Sequence, residues 1–192
     1  MALAPVKGES MFSFLREPRT RLLERLPKGA VCAEVGVWKG DFSQRVVDAA
    51  QPRELHLVDP WAFDANFPQR WYGGARAGDQ ADMDAIHDGV AARFAGRPEV
   101  RVQRATSLAA AAAFADGYFD WVYIDGDHSM AAVLADLGAW RRCVRGGGLL
   151  CGDDYRWRDE QGRASVKDAV SKFALRFALK PDIIGTQFII RV

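Results

Sequence analysis

The chain is poor in everything that would tie it to an oxidising or membrane setting. Of its 192 residues only three are cysteine, Cys32, Cys143 and Cys151. The number is odd and no CxxC pair occurs, so neither a disulfide framework nor a thiolate zinc site is expected. Cys32 and Cys151 lie in apolar runs and read as core thiols, and a reducing cytoplasm is the expected compartment. No apolar run approaches the roughly 20 residues of a membrane span. The opening "MALAPVKGES" lacks the basic-then-apolar order of a secretory signal. An excess of one charge is missing too. The net charge is +1, from 26 Lys and Arg against 25 Asp and Glu, so nothing general draws the chain to nucleic acid or an anionic membrane. What remains is an ordinary globular composition, 49% hydrophobic and 27% charged. It is long enough for one domain with a sizeable core over residues 1–192. Self-association is left open.

Helical and strand-like periods alternate along the chain. "RTRLLERL" is an amphipathic helix within an N-terminal helical segment, 1–28. Apolar runs at Ala30–Val35, Glu54–Asp59, "EVRVQ", "FDWVYID" and "GGLLCGDD" read as strands. Between them, Asp41–Ala50, Asp79–Ala95, Leu108–Ala115, Ser129–Cys143 and Ala164–Leu179 read as helices, with Ser129 as a cap. Strands separated by such helices predict a Rossmann-like, doubly wound, mostly parallel sheet covered on both faces. "IIGTQFIIRV" ends the chain with two apolar runs too close for a crossover helix, so they must be antiparallel neighbours. The segment 60–78 breaks the rhythm. It holds Trp61, Phe63, Phe67, Trp71 and Tyr72, and so long a connection is a candidate substrate lid, or else a satellite hydrophobic cluster.

In an open parallel sheet, ligands bind beyond the carboxyl ends of the strands. Four stretches fall there. "EVGVWKG" puts Glu34 at a strand end, Gly36 in a tight turn open to close approach, and Gly40 where the next helix begins. It lacks both GxGxxG and GK[ST], and Glu34 suits a ligand with a cationic amine better than a pyrophosphate. Asp59 lies 23 residues after Gly36, where an acid commonly bonds ribose hydroxyls. Ser107, in "RATS", could meet an adenine edge or cap its helix. Finally, "YIDGDHSM" and "GDDY" bring Asp125, Asp153 and Asp154 to the ends of two strands expected to be neighbours. Three close carboxylates repel unless a hard cation relieves them, which points to magnesium or manganese. His128 would sit beside that ion as a general base, and Asp127 reads as a turn or cap residue facing solvent.

In that order and spacing, "EVGVWKG", "LVDPW", "FDWVYIDGDHS" and "RGGGLLCGDDY" resemble class I S-adenosylmethionine-dependent methyltransferases. They are closest to the small metal-dependent O-methyltransferase group related to macrocin-type sugar O-methyltransferases. The resemblance runs from about Val31 to Tyr155. It implies a seven-stranded sheet with an antiparallel last strand. It also implies Glu34 and Gly36 at the methionine end of the cofactor, Asp59 on the ribose, Asp125, Asp153 and Asp154 on magnesium, and His128 as base. The expected activity is methylation of a hydroxyl on a sugar, diol or catechol-like small molecule. Met130, where relatives often carry tyrosine, departs from the pattern. Two competing readings share the fold: an NAD-dependent dehydrogenase, and a catalytically inactive nucleoside-binding regulatory protein. Methylation of nucleobase amines is disfavoured, because "IDGDH" stands where that group carries [DN]PP[YFW].

Overall fold

The computed structural model describes residues 17–192; the first 16 residues of the N-terminal segment lie outside them. Seven strands form one sheet: β1 Val31–Val35, β2 Glu54–Asp59, β3 Val100–Arg104, β4 Phe119–Ile124, β5 Val144–Gly152, β6 Asp182–Ile184 and β7 Gln187–Arg191. Their order is β3-β2-β1-β4-β5-β7-β6. β1 to β5 are parallel, and β7 runs antiparallel to both β5 and β6. The helices are α1 Pro18–Leu23, α2 Asp41–Ala50, α3 Gln80–Phe94, α4 Ser107–Ala113, α5 Met130–Cys143 and α6 Ser165–Arg176.

The local reasons are those read from the pattern. β1 is buried along its whole length, as a central parallel strand must be. Asp79 and Ser129 cap α3 and α5, accepting from the N–H of Asp82 and Ala132. α4 is capped by Thr106, not Ser107. The first helix is shorter than its apolar pattern, ending at Leu23, although Leu26 is still buried. β5 begins directly after α5, several residues before the apolar run.

Two apolar layers flank the sheet. One joins α1, α2 and α3 through Leu22, Val46, Met83, Phe94 and Trp121; the other joins α5 and α6 through Leu137, Trp140, Val170 and Phe173. All three cysteines are buried and free. Strand order reverses between β1 and β4, so the ligand crevice of this topology opens at the carboxyl ends of those two strands. Among the described residues no helix is long and apolar enough to cross a membrane.

The segment 60–78 is an anchored strap with one turn of 3-10 helix, Trp71–Gly73. Trp61 is fully buried, and its indole N–H donates to the Trp38 carbonyl (2.8 Å). Its ring meets His87 of α3 edge-on. Trp61→Ala is therefore expected to cost about 3–5 kcal/mol, the range for a buried aromatic truncated to alanine. It should also speed proteolysis within 60–78 in the native state. Urea unfolding and limited digestion check this, and an unchanged digestion pattern would mean that Trp61 does not hold the strap.

Candidate active site

The carboxyl ends of β1, β2, β4 and β5 carry the predicted polar residues to one rim. β1 ends in Glu34 and Val35, then turns sharply. Gly36 has φ +89°, and a side chain there would come within 2.1 Å of the Asp125 carbonyl oxygen. The space beside Gly36 is thus taken by the β4 end of the chain itself, which packs so closely that the Asp125 N–H donates to the Val35 carbonyl (2.7 Å). Gly40, with φ +75°, starts α2 against Phe94.

Asp59 ends β2 with both oxygens engaged. Oδ2 accepts from the N–H groups of Val37 and Trp38 (2.9 and 3.0 Å), and Oδ1 accepts from Trp61 N–H (2.8 Å). It clamps the glycine turn to the start of the strap, and burial raises its pKa. Ser107 lies apart from the acids. Its hydroxyl donates to Asp136 on α5 (2.5 Å) and accepts from the Trp140 indole (2.9 Å). Burial raises Asp136 to about 6. Trp38, Trp61 and Asp154, at φ +53°, +39° and +57°, are non-glycine residues in the left-handed region, one in each of three loops at this rim. Such strain persists only where surrounding contacts impose it, and it clusters at functional sites.

The acid cluster is real, and it already contains a cation. Arg19, from α1, donates through Nη2 to Asp125 Oδ2 (2.8 Å) and through Nε to Asp153 Oδ2 (2.7 Å). Asp153 Oδ1 accepts from the Asp154 N–H (2.7 Å) and from the buried Gln187 amide on β7. Gln187 in turn accepts from the Tyr123 hydroxyl (2.9 Å). Asp153 therefore faces Arg19 and Gln187, while Asp125, His128 and Asp154 form a separate group. Each of these three offers a ligand atom within 4.8 Å of the others. His128 Nε2 lies 3.0 Å from Asp154 Oδ2 and 4.0 Å from Asp125 Oδ1. Burial is the largest influence on His128 and opposes its charge, but the hydrogen bond to Asp154 together with the negative charges of Asp154 and Asp125 raises the imidazole pKa. Burial pushes Asp154 up, but the same bond and the positive charges of His128, Arg19 and Arg70 together hold it below the usual carboxylate range. Burial drives Asp125 up to about 7, with Arg19 pulling the other way.

Asp127 is more occupied than a solvated turn residue. It accepts from the Ser129 N–H (2.6 Å) and from the Tyr72 hydroxyl of the strap (3.2 Å). Arg70 of the strap lies over the Trp157 ring, 5.0 Å from its centroid, and Trp157 meets His128 edge-on at 5.1 Å. Sequence reasoning missed Arg19, Gln187, Arg70 and Trp157. Only Gln187 left a trace, as an amide inside an apolar terminal strand. Arg19 reads as the solvated face of an amphipathic helix.

The family profile described as "Methyltransferase domain" matches residues 33–155 of this chain. The chain belongs to this methyltransferase family. It is an S-adenosylmethionine-dependent enzyme, which settles the choice against hydride transfer to NAD. No curated protein matches it. Among solved structures, it is similar to an S-adenosylmethionine-dependent methyltransferase from Aquifex aeolicus, at 13% identity and TM-score 0.58, covering 95% of this chain and 92% of that one. It is similar to the N-methyltransferase NodS from Bradyrhizobium japonicum WM9, at 15% and 0.57, covering 93% and 95%. It also resembles the 1,6-didemethyltoxoflavin N1-methyltransferase from Burkholderia thailandensis, at 12% and 0.57, covering 94% and 77%. At these identities the likeness carries the fold alone.

The methyltransferase's crevice fits the donor. Glu34 is almost fully buried beside the glycine turn, and its Oε2 has no hydrogen-bond partner among the described residues. A cationic amine is the complement such an oxygen calls for. Burial raises Glu34 to about 8, above the ordinary value of about 4.3. The folded state therefore holds this proton where the unfolded chain has lost it. Its stability falls as pH rises from about 4.3 to about 8. Glu34→Gln removes that titration. It should raise the stability of the donor-free protein more at pH 8 than at pH 5, because only the carboxyl loses stability over that interval. A gain equal at both pH values would show that Glu34 is not held protonated.

Proposed function

We propose that this methyltransferase acts on a hydroxyl of a small hydroxylated metabolite, a sugar, diol or catechol-like compound. In this reading Glu34 and the Gly36–Gly40 turn receive the methionine end of S-adenosylmethionine, Asp59 lies at the ribose and Ser107 at the adenine. The donor, when bound, supplies a methyl group on a sulfonium, already electrophilic enough for displacement. The chain's part is to place the acceptor oxygen in line and remove its proton.

The observation that carries the reading is the His128–Asp154 pair. With Nε2–H donating to Asp154, the carboxylate orients the ring and selects the tautomer, and the lone pair is left on Nδ1. Nδ1 is buried and has no partner among the described residues. An acceptor hydroxyl meeting Nδ1 would give up its proton there, and Asp154 would stabilise the imidazolium that results. A relay of this kind is typically worth about 10²–10⁴-fold. It serves an oxygen nucleophile, which is weak until deprotonated.

Asp125 and Asp154 also supply two carboxylates of the kind magnesium or manganese takes, with the His128 imidazole beside them. A cation held there would lower the pKa of a chelated hydroxyl. One observation favours a second, ion-free version: Arg19 already pairs with Asp125 and Asp153, and His128 with Asp154.

His128→Ala should lower turnover by two to four decades and leave affinity for S-adenosylhomocysteine within about twofold. Mass spectrometry of O-methyl product from a panel of polyols and catechols, with calorimetry on the variant, measures both. Near-parental turnover in the folded variant would end the base role. Asp154→Asn should shift the acidic limb of the pH–rate profile to lower pH, because it removes the group that raises the His128 pKa. A chelator decides between the two versions. Turnover that survives exhaustive chelation leaves Arg19 as the cluster's cation and rules out a required metal.

A further inference from the structure

Several arginines around this rim are engaged. Arg19 holds Asp125 and Asp153. On the loop after β5, Arg156 donates to the Gly185 carbonyl, Arg158 to the Gly162 carbonyl, and Arg163 pairs with Asp159. Among the described residues the Arg70 guanidinium makes no hydrogen bond and no ion pair. Its backbone is nonetheless fixed. The Arg70 N–H donates to the Phe67 carbonyl (2.8 Å), and its carbonyl accepts from Gly73 and Ala75 (3.1 and 3.0 Å). The guanidinium lies over Trp157, itself tied by its N–H to the Asp154 carbonyl (2.8 Å). The Trp157 ring thus has an unpaired cation at about 5.0 Å and the His128 imidazole at about 5.1 Å.

The cation is close enough to act on Asp127, Asp154 and His128 through its field, yet it pairs with none of them. An arginine that offers donors without an acceptor, oriented on an aromatic ring beside a base, is the arrangement that recognises a carboxylate. The neighbouring surface is aromatic. Trp71 is 55% exposed and lies 5.5 Å from Trp38. Such a wall favours a planar acceptor over a saturated one.

We propose that Arg70 is an acceptor-recognition residue and that the acceptor is a planar hydroxylated carboxylic acid. Its hydroxyl meets His128, its carboxylate meets Arg70, and Trp157 lies against the atoms between. This rests on the hydroxyl-methylation reading and narrows it from hydroxylated metabolites in general to acidic ones. The guanidinium has a further task, since an anionic acceptor approaching Asp125, Asp127 and Asp154 meets like charge. Arg70 gives an anionic substrate a guanidinium that no carboxylate pairs with among the described residues, held over Trp157.

The test uses the full chain saturated with S-adenosylhomocysteine and two probes, 3,4-dihydroxybenzoate and neutral catechol, titrated by calorimetry and by ligand-observed NMR. The acid should bind at least about tenfold more tightly than catechol. Arg70→Gln should bring the two affinities together, and Arg70→Lys should restore part of the gap. The melting temperature and S-adenosylhomocysteine affinity of both variants should match the parent. Equal affinities in the parent, a preference that survives Arg70→Gln, or binding of neither probe would each overturn the proposal. Product analysis with S-adenosylmethionine separates the two layers. O-methylation of catechol with no preference for the acid would leave the hydroxyl reading standing and remove the Arg70 subsite. Arg70-dependent binding of the acid with no O-methyl product would leave the subsite standing and remove the hydroxyl reading.

Discussion

Two carboxylates at the ends of neighbouring parallel strands, both largely buried, repel one another and lose their hydration together. Asp125 and Asp153 stand in that position, and Arg19 reaches between them. A guanidinium suits the task because it stays charged under burial and presents several donors in fixed directions. Once Asp125 Oδ2 is held by Arg19, its other oxygen is left toward His128 and Asp154. Gln187 holds the far side of Asp153 and is held in turn by Tyr123. Removing one member of such a network leaves the others buried without partners, which costs more than the lost bond. The network also joins parts of the chain remote from one another. The methyltransferase match spans residues 33–155, while Arg19 precedes it and Gln187 follows it. The acids of the motif are thus kept in place by elements outside the motif.

The second organising element is the strap. It leaves β2 at Asp59, is pinned by Trp61 under Trp38, and reaches Asp127 through Tyr72 and Trp157 through Arg70. One connection therefore touches the loops that follow β1, β4 and β5. Loops at strand ends carry function because a rigid sheet positions them. The left-handed residues Trp38, Trp61 and Asp154 mark where that positioning strains the backbone.

The structural neighbours include N-methyltransferases as well as a methyltransferase of broader description. That spread is expected of a fold whose sheet serves the shared donor and whose loops serve the acceptor. In this chain the donor side is spare: a buried acid with one oxygen unpartnered among the described residues, a glycine turn and a clamping aspartate. The acceptor side is crowded with charge and aromatic rings. Chemistry that distinguishes this enzyme from its neighbours is therefore to be sought in the strap and the loop after β5.

Much of this was legible in the chain before folding. Alternating periods of 3.6 and 2 dictated a doubly wound sheet, because a buried parallel strand needs helices on both faces. The short spacing at the chain end required an antiparallel pair. The motif residues Glu34, Asp59, Asp125, His128 and Asp154 do meet at the strand ends, since position at a strand terminus is a local property. Which atoms they face was not legible. The three-acid cluster predicted a cation without showing that Arg19 is one, because they are separated by more than a hundred residues and only the packing of α1 against α2, β6 and β7 brings Arg19 to the acids. Ser107 turned to Asp136, and the cap fell to Thr106 one residue earlier, a difference decided by the docking of α4 on α5. Asp153 and Asp154 are adjacent in sequence yet face different partners, because the chain turns into the left-handed region at Asp154 as it leaves β5. Sequence determines which groups arrive at the rim; pairing among them depends on distances of a few ångströms that only the folded chain sets.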